Sequence, residues 1–196
     1  SPLLETDWTL TVGVTEVHQY AGVSGGYKGV VVGCGSRKSI AHLHRRELVC
    51  NPNVEVGRIK GNPFRAEIER LGKATPCRFG LQWVPSLEEW WFGTPEALLT
   101  EAQSCIQPWY EVDRLYHGVV LNIPKSKGVS LYQASRAATY LALSPNPPLV
   151  EGATIVLKAS MVEGLGSEKG FVNALRSHKP PWKTCLGQDI PGAGGQ

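Results

Sequence analysis

The chain has 196 residues, Lys+Arg 20 against Asp+Glu 17, a net charge of +3 and 42% hydrophobic residues. This is the balance of an ordinary globular protein, long enough to bury a core in one large domain or two small ones. That composition excludes a disordered chain, a collagen and a nucleic-acid-coating tail. No stretch approaches the roughly 18 consecutive apolar residues of a membrane span, and no charged segment followed by an apolar run opens the sequence, so a cytosolic location is expected.

In chain order, the alternation of apolar with Thr or Gly residues from Trp8 to Val14 predicts a strand, and Gly29-Val-Val-Val-Gly33 reads as a short buried one. Between them Ala21-Gly-Val-Ser-Gly-Gly-Tyr-Lys28 is too glycine-rich for an element interior and suits a loop approached by a ligand. Ser39 is placed to cap a helix carrying Ile40, Leu43, Glu47 and Leu48, and Gly61-Asn-Pro63 precedes a helix from about Phe64 to Leu71. Further strands are expected at Phe79 to Val84 and Leu115 to Asn122, separated by a helix within Pro95 to Cys105. Leu131 to Leu143 reads as a helix that Ser144-Pro-Asn-Pro-Pro148 ends, and Ala153 to Ala159 as a β-branched strand leading into Glu163-Gly-Leu-Gly166. Alternating strands and helices predict an α/β class, with mixed or parallel sheets flanked by helices.

Five cysteines (Cys34, Cys50, Cys77, Cys105, Cys185) occur without a Cys-x-x-Cys pair and read as free thiols. Gly33-Cys-Gly35 is half of a dinucleotide fingerprint, with Lys38 where the third glycine belongs, so phosphate contact and a purely structural turn both stay open. His42 and His44 share a face on a strand but point about 200° apart on a helix, so as a chelating pair they are disfavoured. Lys28 stands among Gly22, Gly25, Gly26 and Gly29, where no β-carbon obstructs its amine. Such a lysine is either a covalent or ionic tether or an ordinary solvated side chain.

Together, Thr15-Glu-Val-His18-Gln-Tyr-Ala-Gly-Val-Ser-Gly-Gly-Tyr-Lys28, Ser39-Ile-Ala-His-Leu-His44 and Gly61-Asn-Pro63 closely resemble the nickel-dependent lactate racemase family. Leu131-Tyr-Gln-Ala-Ser-Arg136, with Gly152-Ala-Thr-Ile-Val-Leu and Glu163-Gly-Leu-Gly166, resembles that family's C-terminal domain. The resemblance implies two lobes, 1–111 from the cofactor-binding domain and 112–196 from an incomplete C-terminal α/β domain, with the site in the cleft between them and the chain a fragment truncated at both ends.

It further implies a nickel-pincer nucleotide tethered covalently to Lys28, with Gly25 and Gly26 beside it, His44 as the nickel ligand and His18 as the catalytic group that takes the substrate proton. Tyr132, Gln133 and Arg136 match positions on the substrate side, where Arg136 replaces the usual lysine and so brings a planar fork to a carboxylate. The implied activity is isomerisation of a lactate-like 2-hydroxy acid by reversible hydride transfer, with a small 2-hydroxy acid and the cofactor-building enzymes as partners and no nucleic acid or membrane. The family's upstream arginine motif and second histidine are not in this sequence, so the fragment alone is expected to be inactive. The alternatives are a family enzyme for a malate-, hydroxyglutarate- or sugar-acid-like substrate, a non-catalytic nucleotide- or metal-binding domain of the same fold, and a zinc site using His42, His44 and a cysteine.

Overall fold

The structure, a computed structural model, describes residues 5–106, 112–142, 144, 146–166 and 169–177. Cys185 and the Pro191–Gln196 ending lie outside the described residues. Internal contacts divide the chain into two units, Ser1–Glu111 and Val112–Gln196. The mixed α/β class read from the sequence is what is found.

In the first unit β1 (Thr9–Val14) pairs in parallel with β4 (Cys77–Val84), which pairs antiparallel with β5 (Glu89–Gly93), giving the order β1-β4-β5. The long crossover from β1 to β4 holds a small hairpin, β2 (Val17–His18) against β3 (Gly22–Val23), and then three helices, α1 (Arg37–Leu43), α2 (Arg46–Val49) and α3 (Pro63–Lys73). Helix α4 (Pro95–Ile106) follows β5. The hairpin β4–β5 went unread in the sequence because its turn offers no glycine: Glu88 adopts the left-handed conformation, with φ 55°. That region is one that non-glycine residues enter at a cost.

The expected strand at Gly29–Gly33 is instead a π-helical turn. Three consecutive valines carry strand propensity, but the N–H groups of Val30 and Val31 both bond to the Tyr27 carbonyl, and both side chains are buried in the core. Tertiary burial has overridden local propensity. Gly35 follows because a β-carbon there would fall 2.0 Å from the Val31 carbonyl oxygen. The first two glycines of the half fingerprint thus lie at the end of a helical turn and not after a strand, which favours the structural reading of that motif.

Ser39 does not cap α1 as expected. Ser36 does, its Oγ accepting from the Ser39 N–H at 3.1 Å, which moves the helix start three residues upstream. Asn62 caps α3 with Pro63 at its first position, as the Gly-Asn-Pro signal predicts. The main core gathers Tyr20, Tyr27, Val30, Val31, Leu43, Leu48, Phe64, Ile68 and Cys77 between the π-turn and helices α1 to α3. A second cluster sets Val23 against Leu99, Ala102 and Ile106 of α4.

In β1 it is Thr11 that is buried, while Leu10, Val12 and Val14 are exposed. With Phe79, Trp90 and Phe92 they form an apolar sheet face on which Phe79 stacks on Phe92 at 5.6 Å and Trp83 lies 5.5 Å from Trp90.

The second unit pairs β6 (Tyr116–Asn122) in parallel with β7 (Leu149–Lys158), connected by α5 (Leu131–Ala142), and its last described element is α6 (Lys169–Ser177). Among the described residues no helix is long and apolar enough to cross a membrane.

Candidate functional site

The hairpin β2–β3 and the turn after it carry four of the expected residues, His18, Gly25, Gly26 and Lys28. His18 lies on β2 opposite Gly22. Its Nδ1 accepts from the N–H of Ala21 at 3.1 Å and of Tyr20 at 3.3 Å. A ring held this way keeps its neutral-state proton on Nε2.

Gly22, Gly25 and Gly26 all have positive φ (75°, 95° and 58°). At Gly22 a β-carbon would fall 2.0 Å from the Arg58 carbonyl oxygen, and at Gly25 it would fall 3.0 Å from Gln82 Oε1. At Gly26 its neighbours would be the Pro95 carbonyl and Arg65. These glycines are therefore demanded by the turn and its packing against protein. Lys28, half-buried, begins the π-turn, its N–H bonded to the Gly25 carbonyl.

Helix α1 stops at Leu43, so His44 occupies its C-terminal cap. Its Nδ1 lies 2.8 Å from the Ile40 carbonyl and must donate to it, leaving Nε2 with a lone pair. This is the arrangement in which a histidine serves as a metal ligand, one nitrogen fixed by a backbone carbonyl and the other presented. His42 is engaged elsewhere: its Nε2 sits 2.6 Å from Glu67 Oε1 and 2.9 Å from Arg45 Nη1. The two histidines thus diverge as their helical spacing predicted. Among the described residues no three His, Cys, Asp or Glu side chains converge as a metal cage, which removes support for the zinc alternative there.

An aromatic row links His18 to His44. The Tyr20 ring stands edge-on to both imidazoles, 6.4 Å from His18 and 5.7 Å from His44, and Phe64 closes on Tyr20 and His44 at 5.4 and 5.6 Å. The sequence motifs therefore meet in space, through a tyrosine and a phenylalanine that the motif reading did not single out.

Three further groups support the turn. Asn62 Nδ2 donates to the carbonyls of Tyr20 and Arg58 while its Oδ1 caps α3. Arg65, 2% exposed, donates through Nε to Ala21 O, through Nη2 to Val23 O and through Nη1 to Gly25 O and Glu69. Burial pushes the Glu69 carboxyl above its ordinary range, against the pull of Arg65 and with Glu96 adding to the rise. The Tyr27 hydroxyl, which donates to Glu96 at 2.9 Å, is pushed up to about 12, first by burial and then by that bond. Sequence reading passed over Arg65, whose only signal is an arginine between Phe64 and Ile68 on the buried side of α3.

In the second unit Tyr132, Gln133 and Arg136 lie, half-buried, in the first turns of α5. The Glu163–Gly166 turn closes on that helix end, with Leu131 N–H bonded to Gly164 O and Tyr132 N–H to Leu165 O. Gly166, with φ 94°, leaves room for Tyr132, whose ring meets Phe171 at 5.4 Å. The structure therefore joins the two patches that were quoted separately from the sequence.

Residues 1–57 match the sequence model of the lactate racemase N-terminal domain. That stretch contains His18, Gly25, Gly26, Lys28 and His44, and it bears out the resemblance to the lactate racemase family read from the sequence. The lactate racemase apoprotein from Thermoanaerobacterium thermosaccharolyticum has the same fold, with a TM-score of 0.74 and 23% identity over 90% of this chain. The match covers 43% of that protein, so this chain corresponds to less than half of it. No curated protein matches the chain.

Proposed function

We propose that this chain carries the cofactor-anchoring part of a racemase or epimerase of small 2-hydroxy acids, with a nickel-pincer nucleotide held covalently by Lys28 and through its metal by His44. The observation that carries the reading is the exposed His44 ring, whose Nδ1–H is spent on Ile40 O so that Nε2 keeps the lone pair an imidazole ligand needs. His44 would be the one protein ligand, with the remaining donors to the metal arriving with the cofactor itself. When bound, that group supplies a site able to take and return the α-hydrogen of the substrate as hydride.

The chain's own residues do the rest. His18 is the group that exchanges the substrate hydroxyl proton, and imidazole suits this work near neutral pH. To accept that proton at Nε2 the ring must first carry its own proton on Nδ1, which requires Nδ1 to give up the N–H groups of Tyr20 and Ala21 that now hold it. Arg136, with Tyr132 and Gln133, is the proposed substrate clamp, its planar fork suited to bidentate contact with a carboxylate. The partners are then a lactate-like acid and the enzymes that build the cofactor, and malate-, hydroxyglutarate- and sugar-acid-like substrates are separated by profiling.

The test is the intact mass and peptide map of the chain co-produced with pincer-cofactor biosynthesis enzymes and nickel. A nucleotide-sized adduct on Lys28, lost in Lys28→Ala, is expected. An unmodified Lys28 in cells that modify a control lactate racemase would refute the reading.

A further inference from the structure

We infer that Arg65, assisted by Asn62, is the positioning residue that sets the shape of the His18–Lys28 segment and so presents the Lys28 amine. The inference rests on the reading of Lys28 as the covalent anchor.

The segment cannot hold its shape unaided. Gly22, Gly25 and Gly26 all sit at positive φ, and glycine populates that region and its alternatives almost equally, so the turn has little intrinsic preference for the conformation it adopts. Ser24 ties one side of it to Val14 and Glu16, and Gly22 O accepts from Gly57 N–H; the rest is fixed by a row of carbonyls taken by α3: Tyr20 O by Asn62, then Ala21, Val23 and Gly25 O by the single guanidinium of Arg65. A planar fork of five N–H donors can hold three carbonyls at once in fixed relative positions, which a lysine ammonium on its flexible stem does not reproduce. The chain of contacts then reaches the anchor directly, because Gly25 O accepts from both Arg65 Nη1 at 3.4 Å and the Lys28 N–H at 3.3 Å.

Simple core filling does not account for this side chain. Burying a guanidinium is costly, and an apolar residue of similar volume commonly stabilises as well or better. Glu69, 3.2 Å from Nη1, offsets the charge but forms no bond to the turn among the contacts of Arg65. The gain from arginine is therefore conformational: one rigid group defines where successive carbonyls lie, and through them where residue 28 begins its helical turn.

The experiment compares Arg65→Met and Arg65→Lys with Leu48→Ala, which opens a cavity in the same core from α2. In each full chain, without cofactor, two quantities are read by mass spectrometry: amide hydrogen exchange across residues 20–28, and the acylation rate of Lys28 relative to exposed Lys60. Both Arg65 variants are expected to raise exchange in that segment about tenfold or more and to change the Lys28:Lys60 ratio, with Leu48→Ala leaving both near the parent values despite a comparable loss of stability. Co-production with the cofactor-building enzymes should then show Arg65→Lys deficient in the Lys28 adduct and Leu48→Ala proficient.

If the Arg65 variants match Leu48→Ala in exchange and labelling, the positioning role is wrong. Should Arg65→Met fail to fold, Arg65→Lys and Asn62→Ala, which removes the Tyr20 and Arg58 bonds and the helix cap but leaves the guanidinium in place, decide the question by the same two readouts. A parent chain that never acquires the adduct refutes the cofactor reading but leaves the exchange and labelling results intact, so the two failures are distinguishable.

Discussion

Gly72→Ala is the substitution whose cost the structure specifies most directly. A β-carbon at position 72 would fall 2.2 Å from Cγ and 2.3 Å from Cβ of Tyr27, where non-bonded carbons settle at roughly 3.5–4.0 Å. About 1.5 Å of separation must therefore be found between α3 and the residue next to Lys28. Tyr27 cannot yield cheaply, being buried with its hydroxyl bonded to Glu96 at 2.9 Å. Overpacking of this kind costs about 1–3 kcal/mol and loss of the Tyr27–Glu96 bond roughly another 1, against a gain of about 1 in helix propensity. The expected net loss is about 2 kcal/mol.

The control is Gly33→Ala, where the added carbon has no heavy atom within 4 Å and φ is not positive, so a change within about 0.5 kcal/mol is expected. Urea unfolding followed by tryptophan fluorescence, to which Trp8, Trp83, Trp90 and Trp91 of the first unit contribute, would place the Gly72→Ala midpoint about 1 M below that of Gly33→Ala. Equal midpoints would refute the packing of α3 on Tyr27 and, with it, the account of how Lys28 is seated.

Bonds from Arg70, then His42, hold the Glu67 carboxyl at about 2, below its ordinary 4.5. Its contribution to stability is therefore present above pH 4.5 and lost as pH falls toward 2, so Glu67→Gln should be less stable than the parent at pH 7 and equal to it near pH 2, as read by thermal melts. Tyr27 behaves in the opposite sense: a hydroxyl raised to about 12 contributes fully below pH 10 and loses that contribution as pH climbs toward 12, so Tyr27→Phe should flatten the alkaline limb of the stability profile. Burial raises the Cys77 thiol, so in peptide-mapped alkylation at pH 8 Cys77 should label slowest and exposed Cys34 and Cys50 fastest. In the cofactor-loaded chain, His44→Ala should lose nickel by metal analysis while His42→Ala keeps it, because His42 Nε2–H already donates to Glu67.

The spacing of ten residues from His18 to Lys28 and sixteen from Lys28 to His44 is a one-dimensional fact, and it is part of what carries the family resemblance read from the sequence. The helix begun by Asn62-Pro63, the strands at Thr9–Val14 and Cys77–Val84 and the helix at Leu131–Ala142 were likewise legible, since capping, proline geometry and hydrophobic period act within a few residues.

What the chain order could not express was settled by packing. Three valines with strand propensity wind into a π-turn because Tyr27 O and the core claim them together. The apolar residues of β1 face outward and Thr11 inward because Gly29 packs against the Thr11 side chain on that side. Arg65 lies 44 residues from the carbonyl of Ala21 that it holds, a partnership that no local pattern encodes. Local rules fix which segments bend and which run straight; only long-range burial and hydrogen bonding decide which face turns inward and which buried donor shapes the loop.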